Sequence, residues 1–390
     1  MNWLIYAALV IVPLIIYPKS VDPFGIKTLL VMILGFLCLL DYRRIRKYYR
    51  PDVAYLYFAW VIISYLYTPY KLGNPGIEML LILAYLGIYL YARDHIFTAK
   101  VVPVLLISLA ITIGYNLYFF HPDWPTIKGV FGLHRTVWGS PSFINMRIYG
   151  GWLVLLIPIA LARALKGKVI GWILFIAGLF ALWTTGGRSS MLGLTAALAA
   201  FSAFYWGKRA WLPIVIIIGL FGAIAWTSFA HQVIDPSRAH FWSGTLDLMA
   251  SKPWTGYGIG SYRTIYPLFK LNMASGEGSM PTHLLENCHS WSFQMISEVG
   301  IIGLGLFLWM IYRIFKRADK TNVYNIAMIA AIFGYLCDNF YNVASQYSAV
   351  SMIFWLYLAL LASDTTKRKE HKCENWMDGL RQFADYSFFN

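Results

Sequence analysis

The chain has 390 residues, of which 59% are hydrophobic and only 13% charged. A soluble domain carries about a quarter charged residues, so this composition excludes a soluble globular enzyme. The net charge of +14 does not mark a nucleic-acid binder, because the cations are spread over short segments and form no single patch.

From the N-terminus onward, apolar runs near or above the ~17–20 residues that cross a bilayer recur along the chain. The predicted spans are 2–17, 24–41, 53–69, 77–92, 101–120, 149–164, 168–185, 189–206, 211–230, 298–315, 323–342 and 347–363. The runs are continuous and do not alternate, so they are helices and not barrel strands. The first run is not a cleavable signal. It lacks a basic leading region and a small-residue cleavage site, and another span follows at once. The expected fold class is all-α integral membrane, with about twelve transmembrane helices over residues 1–364. Residues 365–390 form a charged tail.

Loop charge sets the expected orientation. With the N-terminus inside, the inner segments are 42–52, 93–100, 163–168, 207–210, 313–322 and the tail. They hold 21 of the 32 Lys and Arg residues, which is the bias of the positive-inside rule. Both termini then face the cytoplasm. The four cysteines, Cys38, Cys288, Cys337 and Cys373, show no metal spacing and no disulfide framework. Cys288 and Cys337 fall near the outer face, where a disulfide between them is one option.

Two outer loops are long, about 121–148 and about 231–297, the second lying between the ninth and tenth spans. Loops of this length are usually functional or disordered. These are rich in Trp, Tyr, Gly and Pro, so order is expected. Apolar spacing from Arg238 to Ser251 predicts a helix. GYGIGSY at Gly256–Tyr262 reads as a tight turn. No strand and no βαβ unit surround it, so it is not a dinucleotide fingerprint.

A few residues can carry chemistry. Arg188, in TTGGRSS, is either a snorkelling helix-end arginine or a phosphate ligand whose planar fork matches phosphate oxygens. Gly186 and Gly187 allow close backbone approach, and Ser189 is expected to open the next helix, an anion-favouring end. Arg238 shares a helical face with Trp242, four residues on. It is a loop arginine on an indole, or a second phosphate ligand. Arg147 and Arg263 are further cations on this face. His289 stands nine residues before Glu298 where the long loop re-enters the membrane, and an imidazole there moves protons near neutral pH. Glu298 alone reads as a first-turn acid that favours the helix dipole. Asp338 reads as a membrane-edge partner for an arginine.

Taken together, these residues resemble the O-antigen ligase and polymerase family of bacterial envelope proteins. Three blocks carry the resemblance, within about residues 139–310. TTGGRSSMLGL is similar to the family's small-residue, arginine, small-residue helix start. RAHFWSGTLDLMASKPWTGYGIGSY is similar to its arginine–tryptophan stretch and following glycine turn. HSWSFQMISEVGIIGLGLF is similar to its histidine block. GSPSFINMRIYGGWLVLLIP matches an upstream segment more loosely. Ser290 and Phe293 replace the family's Asn and Leu, and Ser140 and Ser142 replace asparagines. These departures leave the charged groups in place.

The resemblance implies a metal-independent, inverting glycosyltransferase of the membrane-embedded, GT-C-like type, with no cofactor. Its donor is an undecaprenyl-diphosphate-linked glycan on the periplasmic face of the bacterial inner membrane. Carried over residue by residue, Arg188 and Arg238 hold the diphosphate and His289 activates the acceptor. Arg147, Arg263, Trp242, Glu298 and Asp338 support them. For a ligase the acceptor is a sugar hydroxyl of lipid A–core; for a polymerase it is a second lipid-linked glycan. A different class, a flippase of lipid-linked oligosaccharide, needs polar groups at mid-membrane and often an internal repeat. The chemical groups here gather at one face instead.

Overall fold

The computed structural model describes residues 1–15, 25–44, 53–69, 71, 73–120, 146–210, 213–214, 236–273 and 287–363. Among these it forms thirteen α-helices and no strand. They are α1 (Asn2–Ile11), α2 (Gly25–Arg44), α3 (Ala54–Leu66), α4 (Asn74–His95), α5 (Thr98–Phe120), α6 (Met146–Leu165), α7 (Val169–Thr184), α8 (Arg188–Trp206), α9 (Pro236–Ser251), α10 (Tyr262–Met273), α11 (Trp291–Arg317), α12 (Val323–Phe340) and α13 (Ser348–Ala362).

Seven of them, α2, α4, α5, α6, α8, α11 and α12, are long and apolar enough to cross a membrane; α1, α3, α7 and α13 are shorter apolar helices. Among the described residues the fold is thus all-helical, and its helices suit a multi-pass membrane protein. Helices occupy eleven of the twelve predicted spans. The remaining one, 211–230, lies almost wholly outside the described residues. So do 121–145, 274–286 and the tail from 364.

Burial separates inner from outer helices. α6 and α12 bury 83% and 78% of their membrane-length windows, whereas α2 buries 28%. In lipid there is no hydrophobic drive between helices, so close packing falls to small residues. Gly193 of α8 faces the Gly334 carbonyl and the Asp338 Cβ of α12. A methyl on Gly151 of α6 would stand 2.8 Å from Ala344 Cβ and 3.1 Å from Asp338 Oδ2. The glycines therefore let three helix backbones close around Asp338.

The tenth span was expected from residue 298, but α11 already begins at Trp291. Ser290 caps it, its hydroxyl accepting from Phe293 N at 3.5 Å. Hydropathy hides this first stretch because Gln294, Ser297 and Glu298 are polar. They face protein partners, not lipid. Glu298 is consequently not a first-turn acid, which corrects the sequence reading. At Gly300 the helix breaks, with φ 72° and ψ −179°.

Five backbone groups around that break find partners outside the helix, as buried amides and carbonyls require. Ser297 O accepts from Tyr257 N at 2.9 Å and Glu298 O from Gly258 N at 2.7 Å. Val299 O accepts from Trp60 Nε1 at 2.9 Å. Ile301 N donates to Pro253 O at 2.9 Å and Ile302 N to Trp254 O at 3.3 Å. The segment 253–258 thus fills the gap in α11. The expected tight turn is present, with Gly256, Gly258 and Gly260 all at positive φ.

Candidate functional site

The helix expected over Arg238–Ser251 is α9. Arg238 lies in its first turn; its side chain is outside the described residues. Trp242, one turn on, donates from Nε1 to Cys288 O at 3.0 Å. Its ring packs edge-on against Phe293, with centroids 5.6 Å apart, and against Tyr341 at 5.9 Å. The helix that carries Arg238 is therefore tied to the segment that carries His289.

His289 has φ 55°, a left-handed conformation that a non-glycine residue adopts rarely. Its amide donates to Asn287 Oδ1 at 3.1 Å. Its half-buried ring faces Phe241 at 6.1 Å between centroids. Cys288 just before it is buried and donates its thiol to Ser290 O at 2.9 Å. Burial pushes that thiol up to about 12. The expected option of a Cys288–Cys337 disulfide is not taken, since both cysteines are free.

On the other side of His289 stands a junction that sequence reading missed, centred on Asn342. Its carbonyl accepts from Trp291 N at 3.1 Å. Its Nδ2 donates to Arg147 O at 3.3 Å and lies 3.5 Å from Asp338 Oδ2. Asp338 Oδ1 accepts from Ser190 Oγ at 3.0 Å. Asn342 thus links the start of α6, the end of α12 and the start of α11. An Asn just past a helix end is a familiar terminating residue, and that is the single signal the sequence offered.

Asp338 is wholly buried. It had been expected to partner an arginine; its hydrogen bonds come from Ser190 and Asn342 instead. Arg188, half-buried, is the first residue of α8, with Gly187 as its cap. The helix opens one residue earlier than expected, so the guanidinium sits at the positive end of the helix dipole. Gly187 N donates to Thr185 Oγ1 at 3.1 Å, which fixes the approach to that end.

Arg263 and Glu298 belong to a neighbouring junction. Glu298 Oε2 accepts from Gly260 N at 2.9 Å, and Oε1 from Tyr262 N at 3.3 Å and Gln294 Nε2 at 3.1 Å. The carboxylate holds the glycine turn onto α11. Arg263 reaches away from it. With the Asn74 amide turned to satisfy both residues, Nε and Nη1 donate to its oxygen at 3.3 and 3.0 Å. Among the described residues no three His, Cys, Asp or Glu side chains converge as a metal site.

The sequence pattern described as O-antigen ligase matches residues 173–308. A protein of Rickettsia typhi that bears the name of a polysaccharide ligase is 23% identical, over 71% of this chain and 70% of its own length. A Rickettsia felis protein of the same name is 23% identical over 77% and 76%. The teichuronic acid biosynthesis protein TuaE of Bacillus subtilis is 22% identical over 50% and 44%. Over residues 173–308, which hold Arg188, Arg238 and His289, the chain is similar to the O-antigen ligase family.

Proposed function

We propose that the chain moves a glycan from undecaprenyl diphosphate to a sugar hydroxyl of lipid A–core on the periplasmic face of the inner membrane. One observation carries this reading. His289 is fixed between two tethers, Trp242 to Cys288 on the Arg238 side and Asn342 to Trp291 on the Arg188 side. An imidazole on a segment tethered to α9 and to the end of α12 suits a reaction in which a hydroxyl attacks and a diphosphate leaves. In this reading the two guanidinium groups bind the diphosphate and stabilise the charge that grows on it. His289 takes the proton of the attacking hydroxyl, which places the acceptor opposite the leaving group and inverts the anomeric carbon. No metal is required for these steps. Arg147, Arg263, Trp242, Glu298 and Asp338 position the parts.

The relative from Bacillus subtilis, named for teichuronic acid biosynthesis, keeps the polymerase reading in play. The donor chemistry is then the same and the acceptor is a second lipid-linked glycan. A transfer assay with purified protein and lipid-linked donor separates these readings by which acceptor is elongated. In that assay His289→Ala is expected to lose ~10²–10⁴-fold in turnover while donor binding survives, the span of a lost general base. Arg188→Lys and Arg238→Lys are each expected to lose on the order of 10²-fold, because the charge stays and the fork does not. Near-normal transfer by His289→Ala refutes the base; near-normal transfer by both lysine variants refutes the diphosphate clamp.

A further inference from the structure

A cavity of about 100 Å³ lies in the bundle with Trp291 in its wall. Its walls include two carboxylates, Glu78 of α4 and Glu298 of α11, and the side chains of Gln294, Tyr335 and Ser345. Both side chains reach the glycine turn at Gly260. Gly260 N donates to Glu298 Oε2 at 2.9 Å, and a methyl on Gly260 would stand 3.2 Å from Glu78 Cγ.

Their surroundings differ sharply. Glu298 is held by three N–H donors. Among the described residues Glu78 has no hydrogen bond and no ion pair. Three more oxygens on the cavity wall are orphaned. Gln294 Oε1, Tyr335 Oη and Ser345 Oγ are buried and make no hydrogen bond. Tyr335 as a whole is 2% exposed. Glu78 is half-buried, and a pocket that pairs an unbonded carboxylate with three buried, unsatisfied oxygens suits a positive occupant. The donor set is all oxygen, the preference of hard cations. The cavity exceeds the ~10–15 Å³ that one water-sized occupant needs, so an ion and some of its hydration water fit together.

We propose that this cavity binds a divalent hard cation, Ca²⁺ or Mg²⁺, through Glu78 and the neutral oxygens beside it. Two carboxylates match its double charge. Only one of them is free of other bonds, so binding is in the millimolar range of weakly charged extracellular sites. Ca²⁺ is favoured over Mg²⁺, because the irregular oxygens do not offer the near-octahedral geometry Mg²⁺ demands. The ion joins α4 to α11 and the glycine turn. It is structural, and the inference stands whether or not the transfer reading holds.

Terbium luminescence tests the site, since Tb³⁺ replaces Ca²⁺ and is sensitised by nearby indoles. Trp291 and Trp355 both line the cavity. Full-length protein in detergent, stripped with a chelator, is titrated with TbCl₃ and then with CaCl₂ or MgCl₂. Saturable luminescence is expected, with half-displacement by about 1 mM CaCl₂ and by several-fold more MgCl₂. Glu78→Gln keeps the shape of the side chain and removes the unpartnered charge, so it is expected to fold and to lose most of the signal. A second readout is the thermal midpoint. CaCl₂ at about 10 mM is expected to raise it by about 2 °C over NaCl of equal ionic strength in wild type, and not in Glu78→Gln. Equal luminescence in the variant, or no displacement by either divalent ion, overturns the proposal. Should wild type show neither signal, Glu78 carries a proton in place of an ion, and the proposal fails.

Discussion

Two carboxylate junctions flank His289, and they are built on different chemistry. Asp338 joins α6, α8 and α12 through side chains, with Ser190 and Asn342 as its partners. Glu298 joins the glycine turn to α11 chiefly through backbone amides, those of Gly260 and Tyr262. A hydroxyl reverses its role by rotating its proton, whereas a peptide N–H can only donate. The first junction therefore tolerates a change of partner chemistry and the second does not. Packing follows the same division. Glycines bring helix backbones together around Asp338, and the break at Gly300 is filled by the backbone of residues 253–258.

The strongest test of this contrast is Gly300→Ala. Position 300 has φ 72°, and an added methyl runs into the Trp254 carbonyl. Strain and clash together are expected to cost about 3 kcal/mol or more. A fall in thermal midpoint with loss of the folded fraction in detergent reports it; a near-normal midpoint dissolves the idea that the turn is locked to the break.

Glu298→Gln comes next. Its NH₂ must oppose one of the two backbone donors, so about 2 kcal/mol of stability is expected to go, with the 253–262 segment released. Denaturant unfolding gives the energy and limited proteolysis gives the place. Asp338→Asn is expected to cost less, about 1 kcal/mol, because Ser190 turns its hydroxyl to accept. Equal losses in the two variants break the comparison outright.

Trp242→Phe keeps the ring and removes the indole donor to Cys288 O. About 1 kcal/mol is expected, read as a roughly fivefold slower transfer from lipid-linked donor with little change in folding. The smallest effect is chemical. With its thiol buried and pushed up to about 12, Cys288 carries almost no thiolate at pH 8 and is expected to resist maleimide in the folded protein. An unperturbed thiol near 8.5 reacts readily at that pH. Denaturant exposes it, and labelling of Cys288 is expected at a lower denaturant concentration in Glu298→Gln than in Asp338→Asn. The reverse order contradicts the assignment of the weaker junction.

Composition and apolar runs determined the class and most of the helix positions, because burial in lipid writes itself into long apolar runs whatever the neighbours are. The helix expected over Arg238–Ser251, found over Pro236–Ser251, and the turn over Gly256–Tyr262 were legible from spacing and glycine alone, since helical period and positive φ are local properties. Arg188, Arg238 and His289 stood out because charge is scarce in such a chain. What the tertiary structure alone decided is how these residues are held. The start of α11 at Trp291 escaped hydropathy because its polar face meets protein and not lipid. Asn342 gave almost no signal, since its importance comes from three elements distant in sequence that meet at its amide and carbonyl. Glu298 read in sequence as a first-turn acid and Asp338 as a membrane-edge partner for an arginine, and neither reading names the donors found. Which donors surround a buried carboxylate depends on which backbones the small residues allow to come close, and that is fixed only when the helices pack.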